Sequence, residues 1–228
     1  MEYFWASFGT ALRLLADFDH EVTRAVGTSL STSLGSTVLA ALVGVPLGTL
    51  VGMKQFRGKG LVISLLNTLL AVPTVVIGLV LYGLLSRQGP LGSAGLLFTP
   101  TALVIGQSVL ALPIVTNYAV SAIQGADARI LPTALTLGAG PLRTVVLLVR
   151  EVRFAMMAAV IAGFGRVISE VGVAMLLGGN IRGYTRTITT AIALETSKGE
   201  FALGLALGLV LLTVALSVNL LLGRLQQR

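Results

Sequence analysis

The chain has 228 residues, of which 55% are hydrophobic and only 11% are charged, and its formal net charge at pH 7 is +7. A water-soluble domain carries about 25% charged residues, so this composition excludes a soluble globular protein and indicates one that is dissolved in lipid. The absence of cysteine excludes disulfides, thiol nucleophiles and Cys-ligated zinc or iron–sulfur clusters. The single histidine, His20, leaves little imidazole chemistry, which argues against most hydrolases and metalloenzymes.

The first 24 residues differ from the rest of the chain because large apolar side chains recur there at helical spacing beside charged ones. The recurring residues are Phe4, Trp5, Phe8, Leu12, Leu15 and Phe18. This pattern predicts an interfacial amphipathic helix over residues 1–24, with a frayed polar segment as the alternative. A cleavable signal peptide fits poorly, because Glu2 stands where positive charge is expected.

Residues 25–228 form a single predicted membrane domain. A helix needs about 20 mostly apolar residues to cross a bilayer, and five stretches meet this requirement: residues 27–53, 60–86, about 99–121, 154–177 and 201–223. The predicted fold is therefore an all-α polytopic membrane protein with five transmembrane helices. Prolines inside the first three spans predict kinks, and they are Pro46, Pro73 and Pro113.

The distribution of charge predicts the orientation. If the loop after residue 53 is cytoplasmic, the inner segments hold nine basic and two acidic residues, whereas the outer segments hold six of each. The positive-inside rule favours this orientation, with the N-terminus outside and the C-terminus cytoplasmic. Small residues at Gly44, Gly48 and Gly52 predict close helix packing, and such glycine faces could also contact a second copy of the chain.

The sequence has no energy source of its own for active transport. Gly58-Lys59 is followed by Gly60 rather than by Ser or Thr, so no P-loop is present to bind ATP. A proton-coupled path needs several buried ionisable residues, and Glu170 is the one carboxylate in the spans. These features predict a channel, or a permease that is driven by another subunit, and not an enzyme.

The segment from residue 127 to 153 is too apolar for a free loop and too interrupted for a span. Pro132 predicts the start of a short helix, Gly138 predicts a left-handed turn that ends it, and Gly140-Pro141 restarts the chain toward the fourth span. Such a helix could dock into a groove of a partner subunit or lie in the membrane interface.

This loop resembles the coupling loop in the membrane subunits of bacterial and archaeal ATP-binding-cassette importers for oxyanions. In that family the loop carries the EAA motif, whose glycine matches Gly138 and whose second alanine matches Ala134. Pro132 and Thr133 depart from its first two positions, and Arg150-Glu151 replaces a later Leu-Pro pair. The resemblance implies that the loop couples to the ATPase through Pro132, Thr133, Ala134, Gly138 and Ala139.

A second resemblance covers residues 168–198, ISEVGVAMLLGGNIRGYTRTITTAIALETSK, which are closely similar to tungstate permeases, with molybdate and sulfate permeases as the nearest relatives. It implies a type I importer permease that works as a homodimer in the bacterial or archaeal cell membrane, surrounded by lipids. Two copies of a separate ATPase would bind ATP and magnesium, so this chain would hold no cofactor and no metal. An extracytoplasmic binding protein would deliver the oxyanion, and no nucleic acid is implied.

The fourth predicted span contains two charged residues, Arg166 and Glu170, at the i,i+4 spacing of a helical ion pair. The pair could be structural, or Arg166 could attract a tetrahedral dianion while Glu170 limits the affinity. We place the predicted transport pathway or gate at residues in and after this span: Arg166, Ser169, Glu170, Gly179, Asn180, Arg182 and Arg186.

The loop that follows offers a further anion-binding hypothesis. Threonine hydroxyls beside arginines suit an oxyanion, and the threonines here are Thr185, Thr187, Thr189 and Thr190. Contact of the two arginines with the binding protein is the alternative. The sequence is also compatible with a self-contained transporter or channel for anions. A membrane enzyme would need a cluster of reactive side chains, which the sequence lacks.

Overall fold

The structure is a computed structural model that describes residues 20–226 together with Trp5, Phe8 and Gly9, and over these residues it contains helices and no strand. A 3-10 turn at Gly92–Ala94 joins the third helix to the fourth. The α-helices are α1 His20–Met53, α2 Lys59–Ala71, α3 Thr74–Leu85, α4 Pro100–Gln124, α5 Ile130–Thr136, α6 Pro141–Glu151, α7 Arg153–Ile168, α8 Gly172–Gly178, α9 Ile188–Ser197 and α10 Phe201–Gln226.

Three of these helices, α1, α4 and α10, are long and apolar enough to cross a membrane without a break. The pairs α2–α3 and α7–α8 pass the same test together, but they are bent by 95° and 62°. The described chain therefore has up to five spans if each bent pair crosses as one. The sequence predicts a kink at Pro73 in the second span and no interruption of the fourth, whereas each of these spans consists of two helices in the structure.

Pro73 breaks the second span rather than merely kinking it. Proline disfavours the helical conformation of the residue before it, and Val72 is extended with ψ 129°. The helix restarts at Thr74. Pro46 and Pro113 instead lie inside the continuous helices α1 and α4.

The glycine face of α1 packs against α4 within the same chain. A Cβ at Gly48 would lie 2.6 Å from the Thr116 carbonyl oxygen and 2.6 Å from Ala119 Cβ, and Gly44 and Gly52 face the same helix. Backbones that approach so closely leave no room for a second copy at this face, so the expectation of a dimer contact there is wrong.

The α1–α4 contact also fixes which loops share an end of the bundle. Gly44 meets Val115 and Gly52 meets Ile123, so the two helices run parallel and end together. Ile123 also packs with Leu148 and Met156 in one apolar cluster. We call this end, with residues 54–58 and 125–152, the basic end, and the opposite end, with residues 86–99 and 179–187, the distal end.

The start of α1 differs from the sequence prediction. Residues 20–24, which the sequence assigns to the N-terminal amphipathic helix, are the first turn of α1. Trp5, Phe8 and Gly9 are helical, and the rings of Trp5 and Phe8 pack edge to face with centroids 6.3 Å apart. The rest of that predicted helix lies outside the described residues.

We predict that Gly48→Ala lowers the thermal unfolding temperature of the purified chain in detergent by several degrees. The added methyl group would overlap the backbone of α4, and overpacking costs about 1–3 kcal/mol, with roughly 2–4 °C lost per kcal/mol at this chain length. Gly27→Ala is the matched control on α1, because no atom lies within 4 Å of its Cβ position. Equal unfolding temperatures of the two variants would contradict the packing.

Candidate functional site

The break between α7 and α8 places a buried carboxylate beside a partly exposed arginine. Arg166 Nη1 donates to Glu170 Oε2 at 2.7 Å, and the two side chains are 39% and 3% exposed. The predicted ion pair is therefore present, although Glu170 lies in the break beyond the end of α7 and not on one continuous helix. Ser169 is exposed at the same break, where its hydroxyl donates to carbonyls of α7.

The second carboxylate oxygen of Glu170 caps the short helix α8. The first backbone N–H groups of a helix have no partner within it, and the N–H of Val173 donates to Glu170 Oε1 at 3.1 Å. Thr189 of α9 donates its hydroxyl to the Glu170 carbonyl at 2.8 Å. Glu170 thus satisfies a buried donor, neutralises part of Arg166 and ties the break to α9.

Gln107 of α4 holds the other side of this break. Its amide nitrogen lies 3.4 Å from the carbonyl oxygen of Val167, and its Oε1 accepts from Ser36 of α1 at 3.4 Å. The carbonyl of Val167 lies in the last turn of α7, where it also accepts from the backbone N–H of Glu170 at 3.2 Å. The sequence prediction missed Gln107; the available signal was an amide side chain inside an apolar span.

The two broken spans meet at their breaks. A Cβ at Gly172 would lie 3.1 Å from Thr74 Oγ1 and 3.3 Å from Glu170 Oε1. Thr74, the first residue of α3, therefore lies close to the carboxylate that caps α8. The sequence prediction missed Thr74 as well, although Pro73 directly before it marked the break.

Gly179 and Asn180 form the turn at the far end of α8 and do not lie at the break. Both have positive φ, 67° and 50°, and the seven residues of α8 separate them from Glu170 by about 10 Å. The Asn180 amide nitrogen donates to the Thr190 carbonyl at 3.3 Å. The predicted pathway residues thus fall into two groups, one at the break and one at the distal end.

The threonines of the distal loop are not available to an anion. All four are buried, and each hydroxyl is engaged within the chain. Thr187 and Thr190 form a capping box at the start of α9, and Thr185 donates to the carbonyl of Gly178. The hypothesis that these hydroxyls bind an oxyanion is wrong for this structure, because they build the loop itself.

The arginines of the distal loop are tied to the first turn of α1. Arg182 Nη2 lies 2.6 Å from Glu21 Oε2, and Arg186 pairs with the other oxygen of the same carboxylate. Glu21 is a residue that the sequence prediction missed, and no local spacing links it to arginines more than 160 positions away. Within the described residues, no group of histidine and acidic side chains could hold a metal ion.

The predicted turn in the loop at the basic end is present. Gly138 has φ 75°, its N–H donates to the Leu135 carbonyl at 3.0 Å, and the N–H of Ala139 donates to the Ala134 carbonyl at 2.9 Å. These two bonds are the Schellman motif, which a glycine in the left-handed region completes. The helix before it begins at Ile130, two residues earlier than the predicted start at Pro132. The reason is that helical backbone hydrogen bonds already form ahead of the proline.

A groove of about 500 Å³ lies between α5 and α6 at the basic end. Thr133, Ala134 and Ala139 line it, and Pro132 is exposed beside it. Leu137 at its rim is 81% exposed. At the edge of the loop the guanidinium of Arg129 holds the pKa of Asp127 below its ordinary value, since its Nε and Nη2 donate hydrogen bonds to both oxygens of that carboxylate.

Helix α6 joins α7 without a loop. Val152 alone separates them; its N–H donates to the Leu148 carbonyl at 3.1 Å, and its carbonyl accepts from the N–H of Met156 at 2.9 Å. The hydrogen-bond ladder therefore runs through the joint. The other end of α7 carries Arg166.

We predict that Glu170→Ala lowers the thermal unfolding temperature of the purified chain more than Ser169→Ala does. Loss of the carboxylate leaves the buried N–H of Val173 without an acceptor, which costs about 1–3 kcal/mol. Ser169 is exposed and bonds its own helix, so its removal stays within roughly 0.5 kcal/mol. Glu170→Gln, which keeps an acceptor, should fall between them, and equal shifts in all three variants would contradict the cap.

Comparison with known proteins agrees with these features. The sequence matches the family described as the binding-protein-dependent transport system inner membrane component over residues 44–228. It is 41% identical over 227 residues to the tungstate uptake system permease protein of Peptoclostridium acidaminophilum, covering 100% of both chains. It is 44% identical over 227 residues to the protein of the same name from Campylobacter jejuni, covering 100% of this chain and 95% of that relative.

The fold also matches a solved structure of a bacterial ABC transporter involved in the import of the acidic polysaccharide alginate. The TM-score is 0.75 at 16% identity, and the match covers 97% of this chain and 83% of the other. At this identity the likeness concerns the fold alone, which is that of an ABC importer permease. The chain is a multi-pass transport subunit and not an enzyme, and it belongs to the family of inner membrane components of binding-protein-dependent transport systems.

Proposed function

We propose that this chain is the permease subunit of an ATP-binding-cassette importer that carries tungstate into the cell. Full-length identity of 41% and 44% to two tungstate uptake permeases supports the substrate. The structural observation that carries the proposal is Arg166, a partly exposed guanidinium held by a buried carboxylate where two broken spans meet. Molybdate or sulfate transport by the same type of permease is the alternative that the test below distinguishes.

The chemistry of the break suits a transient anion contact. One N–H of Arg166 is committed to Glu170, and a guanidinium has five N–H groups, so others remain for an oxyanion. Glu170 reduces the local positive potential and thereby limits the affinity. A contact that is strong enough to admit the anion but weak enough to release it is what conduction requires.

The coupling route runs along α6 and α7. A partner ATPase that docks in the groove between α5 and α6 would shift α6, and the continuous ladder through Val152 would carry that shift to the break. With 16 residues in α7, the distance is about 24 Å. ATP and magnesium are bound by that partner in this proposal, and this chain holds no cofactor.

The complete transporter would contain two copies of this chain in the lipid bilayer, two ATPase subunits at the basic end and a binding protein at the distal end. The basic end is then cytoplasmic, which agrees with the excess of lysine and arginine in its loops. In this orientation the N-terminus lies outside and the C-terminus is cytoplasmic. The distal loop with Arg182 and Arg186 then faces the binding protein.

We predict that Arg166→Ala reduces ATP-driven tungstate uptake by the reconstituted complex to the level of protein-free liposomes. This variant removes the positive charge from the proposed anion path. Arg166→Lys keeps a positive charge but lacks the planar guanidinium with its paired N–H donors, so it should keep partial uptake. Arg87→Ala, at an exposed arginine outside the break, is the control. Uptake is measured with loaded binding protein and with assembly of the complex verified by size-exclusion chromatography.

Several outcomes of this assay count against the proposal. Intact uptake by Arg166→Ala would remove Arg166 from the path. Sulfate competing as well as tungstate would contradict the assigned substrate. Uptake by the chain alone, without ATP or partner subunits, would instead establish a self-contained transporter or channel.

We predict that Gly138→Val uncouples ATP hydrolysis from transport. A β-branched residue at φ 75° is strained by about 1–3 kcal/mol, which would open the Schellman turn and displace the docking surface. The measured quantity is the number of ATP molecules hydrolysed per anion imported, which should rise severalfold. Gly140→Ala is the control because φ is −68° and no atom lies within 4 Å; unchanged coupling in Gly138→Val would exclude the loop as the coupling element.

A further inference from the structure

A cavity of about 390 Å³ opens at the distal end, between the first turn of α1 and the loop that joins α8 to α9. It is lined by His20, Glu21, Arg24, Arg182 and Gly183. Four of these five residues carry polar or ionisable side chains. The cavity is separate from the break at Glu170, because the length of α8 lies between the two places.

The described residues around this cavity carry more positive than negative charge. The two oxygens of Glu21 are shared between Arg182 and Arg186. Arg24 is in none of the ion pairs that the described part of the chain forms. The lining of the cavity therefore holds two guanidinium groups and one carboxylate, which with His20 neutral gives a formal charge of +1. Arg186, which pairs with the same carboxylate, lies outside this lining and beside Glu195.

The backbone of the distal loop allows Arg24 to lie over it. Gly183 has φ 73°, and a Cβ at this position would be 3.0 Å from Arg24 Nη1. A side chain at position 183 would displace the guanidinium. Arg186 is only 12% exposed and pairs with Glu21, and its Nε is buried without a hydrogen-bond partner among the described residues.

We propose that the cavity is a second anion site, which takes a tetrahedral divalent oxyanion before it reaches Arg166. The inference rests on the proposed function, because an importer supplies the anion at this end. Planar guanidinium groups donate paired N–H bonds to oxyanions, and Arg24 with the exposed Arg182 provides them. Glu21 competes for the same arginines, so the site binds weakly and releases its anion, while its positive potential increases the local anion concentration.

The test is a thermal-unfolding titration of the full chain in detergent with sodium tungstate, at an ionic strength held constant with sodium chloride. It is done in the Arg166→Ala background, so that binding at the break does not contribute. A ligand that binds the folded state raises the unfolding temperature with a saturable dependence on its concentration. We expect such a rise, and Arg24→Gln should weaken the apparent affinity at least about tenfold, which corresponds to 1.4 kcal/mol.

Two further variants separate anion binding from a structural role. Arg87→Gln, at a distal arginine outside the cavity, should leave the apparent affinity unchanged. Glu21→Gln removes the competing carboxylate, so it should lower the unfolding temperature without anion and yet strengthen tungstate binding. If Glu21 and its arginines had only a structural role, Glu21→Gln would lower the unfolding temperature without strengthening tungstate binding.

The proposal is overturned if the wild-type cavity gives no saturable response, or if Arg24→Gln and Arg87→Gln bind tungstate equally. It is also overturned if Arg24→Gln weakens binding-protein affinity while the tungstate response of the isolated chain is unchanged, because the cluster is then a docking surface. ATP-driven uptake by the wild-type complex tests the proposed function separately. Intact uptake together with no saturable response to tungstate would exclude the distal anion site and leave the proposed function standing.

Discussion

The structure depends on how one buried carboxylate is satisfied. Glu170 is almost fully buried in a membrane-spanning segment, where an unpaired charge costs several kcal/mol. It meets this constraint by pairing with Arg166 through one oxygen and accepting the N–H of Val173 through the other. The second of these bonds is possible because the helix stops and restarts there, so the cap of α8 depends on the break.

The same break links the two ends of the bundle. Toward the basic end, α7 and α6 form one hydrogen-bonded unit that reaches the groove beside Gly138. Toward the distal end, the seven residues of α8 lead to the loop that Glu21 ties to α1. In the proposed function, a shift that begins at either end would reach Arg166 through these elements during alternating access.

Those features that arise from local rules could be predicted from the sequence. The length of the apolar runs identified the membrane segments, and Pro73 marked the place where the second span is interrupted. The i,i+4 spacing predicted the pair of Arg166 and Glu170, and Gly138 predicted a left-handed turn. Each of these rules acts over a few residues, so the sequence alone contains the needed information.

Features that depend on tertiary contacts could not be predicted in this way. No proline lies between α7 and α8, and the break there is held by Gln107 and Thr189 from other helices. Glu21 meets Arg186 across 165 positions. The sequence predicts hydroxyls that are free for an anion at the distal threonines, because it does not reveal that these threonines hydrogen-bond one another inside the loop.

The central claim, that the break at Arg166 and Glu170 lies on the aqueous path, is tested most directly by cysteine accessibility. The chain has no cysteine, so Ser169→Cys places a single thiol at the break, and Leu216→Cys places one on the exposed apolar face of α10. In the reconstituted complex, a charged thiol reagent that does not cross membranes should modify Ser169→Cys and be slowed by saturating tungstate, while Leu216→Cys stays unmodified. An unreactive Ser169→Cys in every nucleotide state would contradict the account.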